Sequence, residues 1–292
     1  MGKTMVLGSG SMLGYFLIGS LLALQSKNKL IEYSDYYGIS VGSILAALIA
    51  MNISIKDIIT ESLEFNFFDG WNDFLQNFNI LEWMTKKKSN KTMGLIDPGK
   101  IRDRIEYWMI IKYHKKLSFQ DLYNLTGNTL TIIVTDRSDP DDPKPIYLNK
   151  DTYPNYQISK AVIESCSIPG IFEIENPHRI DGVFTDPFPV ERLENKTGLA
   201  LLLHEDYKIT GNGSISEALI NIYSSIMIPI KMMMKKKIEM CPKSIKIIHL
   251  RKQSSSVAVP VPIGMSKTDK YQMIVSGYFQ TLEQLKKDDN EE

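Results

Sequence analysis

The residues best placed for chemistry are a serine between glycines, an aspartate at a glycine turn, and a loop of small residues. Gly38-Ile39-Ser40-Val41-Gly42 has the spacing of a nucleophile elbow. In that device a serine hydroxyl sits on a strained strand-to-helix turn and attacks an acyl carbonyl, while flanking residues without Cβ allow close approach. Asp181-Gly182-Val183 offers a carboxylate that can take a proton, although Asp-Gly is also an ordinary turn pair. Gly8-Ser9-Gly10-Ser11-Met12-Leu13-Gly14 presents successive main-chain N–H groups, which can hold an anion. A dinucleotide phosphate loop is an alternative for this stretch, with Glu32 or Asp35 as the ribose-binding acid. That pattern wants glycine at position 13, where Leu13 stands. Ser165-Cys166-Ser167-Ile168-Pro169-Gly170 reads as a helix end followed by a proline-stiffened turn.

The elements that must position these residues follow from periodicity. Strands are expected at Thr4–Leu7, Ile31–Tyr37, Thr129–Thr135, Ile146–Leu148, Leu199–His204 and Ser244–Leu250. Helices are expected at Met12–Gln25, Val41–Met51, Ile55–Leu63, Pro98–Lys112, Phe119–Leu125, Ser159–Ser165, Ser216–Met240 and Lys267–Lys286. The run Thr129–Thr135 is apolar enough to be buried on both faces, as in a parallel sheet covered by helices. The alternation predicts a three-layer α/β/α domain with a mostly parallel central sheet. Two stretches fit least well: Phe65–Met93, aromatic and then lysine-rich, and Ser138–Pro154, whose Asp and Pro residues read as a surface loop.

Bulk composition narrows the function classes. The 292 residues are 43% hydrophobic, sufficient for a large core, and 34 basic residues balance 34 acidic ones. A general nucleic-acid binder would show a basic excess. Cys166 and Cys241 imply no disulfide framework, and His114, His178, His204 and His249 lack metal-motif spacing, so neither metal nor cofactor is expected. The uncharged run Thr4–Gln25 is broken by glycines and serines, so it reads as strand, loop and helix rather than a leader or span. A cytoplasmic protein without a signal peptide is the expectation.

In this order, the loop, the elbow, the Ser165–Pro169 turn and the Asp181-Gly182 pair resemble the patatin-like phospholipase family over roughly residues 3 to 205. Met93-Gly94-Leu95-Ile96-Asp97 through Leu117-Ser118-Phe119-Gln120-Asp121-Leu122 is similar to its middle region. Two departures stand out: serines replace two of the three loop glycines, and Leu13 stands where the family usually has Lys or Arg. The resemblance implies one patatin-like acyl hydrolase domain over 1–292, with a core at 3–205, a strand and helices at 206–286 and an acidic tail at 287–292. It implies a Ser40–Asp181 dyad cleaving phospholipid esters, as a phospholipase A or lysophospholipase. It further implies an oxyanion hole at Gly10, Ser11 and Met12, support from Gly14, Gly38, Gly42 and Gly182, and no catalytic metal.

Competing readings stay open. A Ser–His–Asp hydrolase would use His204 or His249, but it needs several strands before its serine. A decayed site would leave a lipid-binding or interaction module. Ile226–Met240, with methionines beside lysines and an interrupting Pro229, reads either as a helix packing its Met face on the core or as a peripheral membrane contact. Trp83-Met84-Thr85-Lys86-Lys87-Lys88 is a second membrane-contact candidate.

Overall fold

The computed structural model describes residues 2–10, 13–64, 97–204, 215–252 and 265–288, with the backbone alone at 215–223 and 288. Ser11, Met12, the segment Phe65–Met93 with its Trp83–Lys88 candidate, and residues 289–292 of the acidic tail lie outside the described residues.

Five parallel strands form the centre of one sheet. They are β1 (Lys3–Leu7), β2 (Tyr33–Ile39), β3 (Thr129–Asp136), β6 (Gly198–His204) and β7 (Ile245–Arg251), and β4 (Lys144–Leu148) extends the order to β4-β3-β2-β1-β6-β7. β4 and the three-residue β5 (Arg179–Asp181) run antiparallel to β3. Side chains alternate across the sheet as strand geometry requires. Met5, Leu7, Ile132, Val134, Leu199 and Leu201 face one core; Val6, Ile39, Ile133, Ala200 and Leu202 face the other.

The first core is roofed by α1 (Gly14–Ser26), α2 (Val41–Ala50), α3 (Ile55–Glu64), α4 (Gly99–Tyr113), α5 (Phe119–Thr126), α6 (Ile158–Cys166) and α8 (Lys267–Asp288). On the opposite face lie α7 (Ile215–Glu239) and the segment carrying Val183, Phe188 and Leu193. The result is the expected α/β/α layering, with one helical layer much the thicker. Helix α2 has almost no polar face because it runs through the core, buried from Gly42 to Ala50. Helix α8 closes against α1, where Thr281 donates to the buried Ser20 hydroxyl at 2.7 Å. No helix among the described residues is long and apolar enough to cross a membrane.

Three elements depart from expectation. β2 begins at Tyr33 rather than Ile31, because Leu30–Glu32 closes a 3-10 turn, and it runs on through Gly38 to Ile39. The strand expected at Ile146–Leu148 is present as β4 but begins two residues earlier, at Lys144 inside the proline-rich stretch, an edge position where Pro145 costs no central ladder bond. β5 was not expected at all. In α7, Ile230 is buried and Met227, Met234 and Ile238 pack on the second core. Its outer side leaves Ile228 and Met232 exposed (57% and 62%) beside exposed Lys235 and Lys236.

Candidate active site

The sheet itself brings Ser40 and Asp181 together. β4 occupies one edge of β3 over Ile132–Asp136. On the other edge β2 pairs up to Ile39 opposite Ile133, and β5 takes over at Asp181 opposite Val134. Two strands running in opposite directions therefore meet end to end in one lane. The first residue beyond β2 is Ser40, and the last residue of β5 is Asp181. A three-residue strand thus sets the position of the carboxylate.

Ser40 has φ 54 and ψ −130, a left-handed conformation that costs a non-glycine residue on the order of 1–3 kcal/mol. Its polar backbone groups are held on both sides. The Ser40 N–H donates to Ser165 Oγ at 3.0 Å, and that hydroxyl donates to the Ile133 carbonyl at 2.7 Å. The Ser40 carbonyl accepts both the Ser43 N–H (2.8 Å) and the Ser43 hydroxyl (2.7 Å). The glycines of the motif have ordinary negative φ, and close packing explains them. A Cβ on Gly38 would lie 2.5 Å from Ser43 Cα, and one on Gly42 would strike the Leu7 and Gly8 carbonyls. Gly182 lies equally tight against the Ile133 carbonyl, Gly14 against Val41, and Gly10 against Leu203.

Asp181 is 0% exposed. Burial pushes its carboxyl from the ordinary 3.8 up to about 7, against the opposing pull of the Ser40 hydroxyl and the Val183 N–H. Oδ1 accepts that N–H at 3.0 Å, while Oδ2 has no partner in hydrogen-bond geometry among the described residues. The free oxygen is available to receive a proton. The backbone of Asp181 is pinned by its N–H to the Ser167 carbonyl (3.1 Å) and by the Thr135 hydroxyl to its own carbonyl (2.8 Å). The end of α6 therefore touches both residues, Ser165 on the serine side and Ser167 on the aspartate side.

An ion pair between the buried Glu164 and the half-buried Arg179 ties these supports together. Glu164 accepts from Arg179 Nη1 at 3.0 Å, from the Tyr156 hydroxyl at 2.7 Å and from Asn176 Nδ2 at 3.1 Å. Arg179 also lies over the Tyr153 and Tyr156 rings. Arg179 stands two residues before Asp181, and Glu164 stands next to Ser165. The sequence reading missed this pair, whose charges look like an ordinary solvated helix face. Asp186, also buried, has different surroundings: it pairs with Lys237 at 2.7 Å and accepts from the Tyr147 hydroxyl at 2.6 Å. Burial pushes the Cys166 thiol far up, with the Asp181 charge adding to it, which disfavours the nucleophilic thiolate.

Of the expected oxyanion donors, Gly10 is described and lies in the loop after β1, while Ser11 and Met12 are not described. Leu13, partly buried, packs on the first core at the start of α1. His204 and His249 are bonded to each other, Nε2 to Nδ1 at 2.7 Å. They lie on β6 and β7, two and three lanes from β2, or roughly 10 and 14 Å at ordinary strand spacing. The acid for a dinucleotide ribose is also spoken for: Asp35 accepts from Thr4, Thr129 and Lys196, and Glu32 pairs with Lys3. No metal-ligating cluster occurs among the described residues.

Residues 5–193 match the family described as patatin-like phospholipase. Triacylglycerol lipase 5 of Saccharomyces cerevisiae is 32% identical over 176 residues, covering 59% of this chain and 22% of the yeast protein. Probable lipid hydrolase 463L of Invertebrate iridescent virus 6 is 27% identical over 193 residues, 65% of this chain and 62% of the viral one. This chain thus spans less than two thirds of either relative. VipD from Legionella pneumophila shares the fold at a TM-score of 0.51 and 17% identity, over 98% of this chain and 67% of VipD. With the family pattern matched over most of its sheet and both candidate residues within it, the chain belongs to the patatin-like phospholipase family.

Proposed function

We propose that the α/β domain is a serine hydrolase of lipid acyl esters, working through Ser40 and Asp181. The observation that carries this reading is the pairing of a strained, nearly buried Ser40 with a cation-free carboxyl whose pKa burial lifts to about 7. A carboxylate of ordinary acidity is a poor base for a serine hydroxyl, and the dry setting of Asp181 raises its basicity. Ser40 Oγ attacks the ester carbonyl carbon as its proton passes to Asp181, and the carbonyl electron pair moves onto oxygen. Main-chain N–H groups at Gly10, Ser11 and Met12 stabilise that oxyanion, each contributing about 3 kcal/mol. Collapse of the intermediate expels the alcohol, which takes the proton from Asp181 and leaves an acyl-enzyme on Ser40. Water, deprotonated by Asp181, then releases the fatty acid and restores the serine.

The substrate is a fatty-acyl ester in a lipid phase. Phospholipase A or lysophospholipase activity is the reading that follows from the family. One observation favours a neutral glyceride instead: the loop position that usually carries a cation holds Leu13, packed on the core. The name of the yeast relative points the same way. At the lipid surface, Ile228 and Met232 with Lys235 and Lys236 form the side of α7 suited to an anionic interface.

The test is fatty-acid release from phosphatidylcholine vesicles and from triacylglycerol emulsions by the wild type and by Ser40→Ala. Release lost in the variant supports the dyad, and the ratio between the two lipids assigns the class. Equal release by both proteins would overturn the role of Ser40. No release by a folded wild type would favour a lipid-binding module.

A further inference from the structure

Ser165 is a buried polar group at the site that the dyad chemistry leaves unused. It is fully enclosed on α6, and its hydroxyl makes two bonds at the point where β2 leaves the sheet. Up to Ile39 opposite Ile133, β2 and β3 are joined by main-chain rungs. One residue further on, the Ser40 N–H and the Ile133 carbonyl are joined through the Ser165 hydroxyl, which accepts from the first and donates to the second. The hydroxyl occupies the place of the next rung. This solves a specific problem of the elbow. Ser40 must turn into a left-handed conformation, yet an N–H or carbonyl left buried and unpaired there would oppose the turn.

From this geometry we infer that Ser165 is a positioning residue for the nucleophile: its hydroxyl bridges Ser40 to β3 and so fixes the strained elbow. The inference rests on Ser40 being the nucleophile. It concerns a residue that touches neither substrate nor the reacting oxygen. The chemistry of the bridge demands a group that accepts one hydrogen bond and donates another from one atom, which serine and threonine supply and alanine does not. The adjacent Ser167 carbonyl holds the Asp181 N–H, so α6 also has a hand on the base. The Ser165 hydroxyl, however, acts on the serine side alone.

The experiment measures how fast a soluble fluorophosphonate labels Ser40, together with kcat and KM on a water-soluble ester, in wild type, Ser165→Ala, Ser165→Thr, Ser165→Cys and Ser20→Ala. The fluorophosphonate reports nucleophile geometry without a lipid surface. Ser20→Ala is the matched control, because that buried hydroxyl also accepts one bond and donates one, in the α1–α8 interface. In Ser165→Ala the labelling rate and kcat should fall roughly 10- to 100-fold, the loss expected when a reacting atom shifts by about 1 Å, with KM within about two-fold of wild type. Ser165→Thr should recover most of that loss. Ser165→Cys, a weak donor and acceptor of nearly the same size, should fall between them, and it carries the test where Ser165→Ala does not fold. Ser20→Ala should lower the melting temperature and leave the labelling rate near wild type. A folded Ser165→Ala or Ser165→Cys that is labelled at the wild-type rate would overturn this inference alone. A wild type that resists the reagent would overturn the nucleophile assignment and this inference with it.

Discussion

Replacing Asp181 by asparagine should change how the stability of the protein depends on pH, by an amount that follows from its burial. The carboxyl rises from 3.8 in the ordinary state to about 7 in the fold. The native protein therefore holds this proton more tightly than the unfolded chain does, and stability falls as pH rises between those values. The contribution is complete below the unfolded pKa and is lost as pH passes through the folded pKa. A displacement of roughly three pKa units corresponds to about 4 kcal/mol in all, of which about 2.5 kcal/mol falls between about pH 5 and about pH 8. Asparagine has no such proton to lose. Urea unfolding of both proteins across this range should show Asp181→Asn gaining about 2.5 kcal/mol on the wild type from the acid to the alkaline end. Its offset at acid pH depends on how the amide sits beside the Val183 N–H, so the slope is the quantity to compare. Parallel stability profiles would refute the claim that this carboxyl is desolvated and without a cation.

The remaining predictions concern catalysis and the frame around it. Because the base must be ionised, kcat/KM on a soluble ester should rise with pH to a plateau with a midpoint near 7, read from a pH–rate profile. His204→Ala and His249→Ala should leave that profile and the turnover essentially unchanged; collapse at either would restore the Ser–His–Asp scheme. Breaking the Glu164–Arg179 pair with Arg179→Met should cost about 3 kcal/mol by urea unfolding, because it removes the guanidinium that the buried Glu164 carboxyl bonds to. The double variant with Glu164→Gln should lose less than the sum of the singles. Gly42→Ala should destabilise by more than about 2 kcal/mol in the same assay, since its Cβ has only the Leu7 and Gly8 carbonyls to displace. Lys235→Glu with Lys236→Glu should weaken sedimentation with anionic vesicles while soluble-ester hydrolysis stays intact; equal loss of both would argue against a lipid-facing α7.

Much of this architecture is legible because local rules and the global fold agree. The Gly38–Gly42 spacing announces the elbow, and the apolar runs announce a covered parallel sheet. The errors have physical causes. β2 starts two residues late because Leu30–Glu32 takes a 3-10 turn, and it runs on past Tyr37 because the missing Cβ of Gly38 lets the strand press against α2. β5 has three residues, too few to carry any periodicity, yet it positions Asp181. The link from Ser165 to Ser40 spans 125 residues, and nothing near Ser165 in the chain reveals its partner. Glu164 and Arg179 were passed over because a charge on a helix or strand end ordinarily faces water. The left-handed φ of Ser40 was foreseeable from the motif; the two serines that hold it in place were not.

The most direct test of the central claim is to trap the acyl-enzyme chemistry and locate it. The protein would be incubated with a fluorophosphonate at about pH 8, above the midpoint set by Asp181, and the adduct mapped by peptide mass spectrometry. The account predicts a single adduct on Ser40, absent in Ser40→Ala and strongly slowed in Asp181→Asn. An adduct on another residue, or undiminished ester hydrolysis by Ser40→Ala, would contradict it.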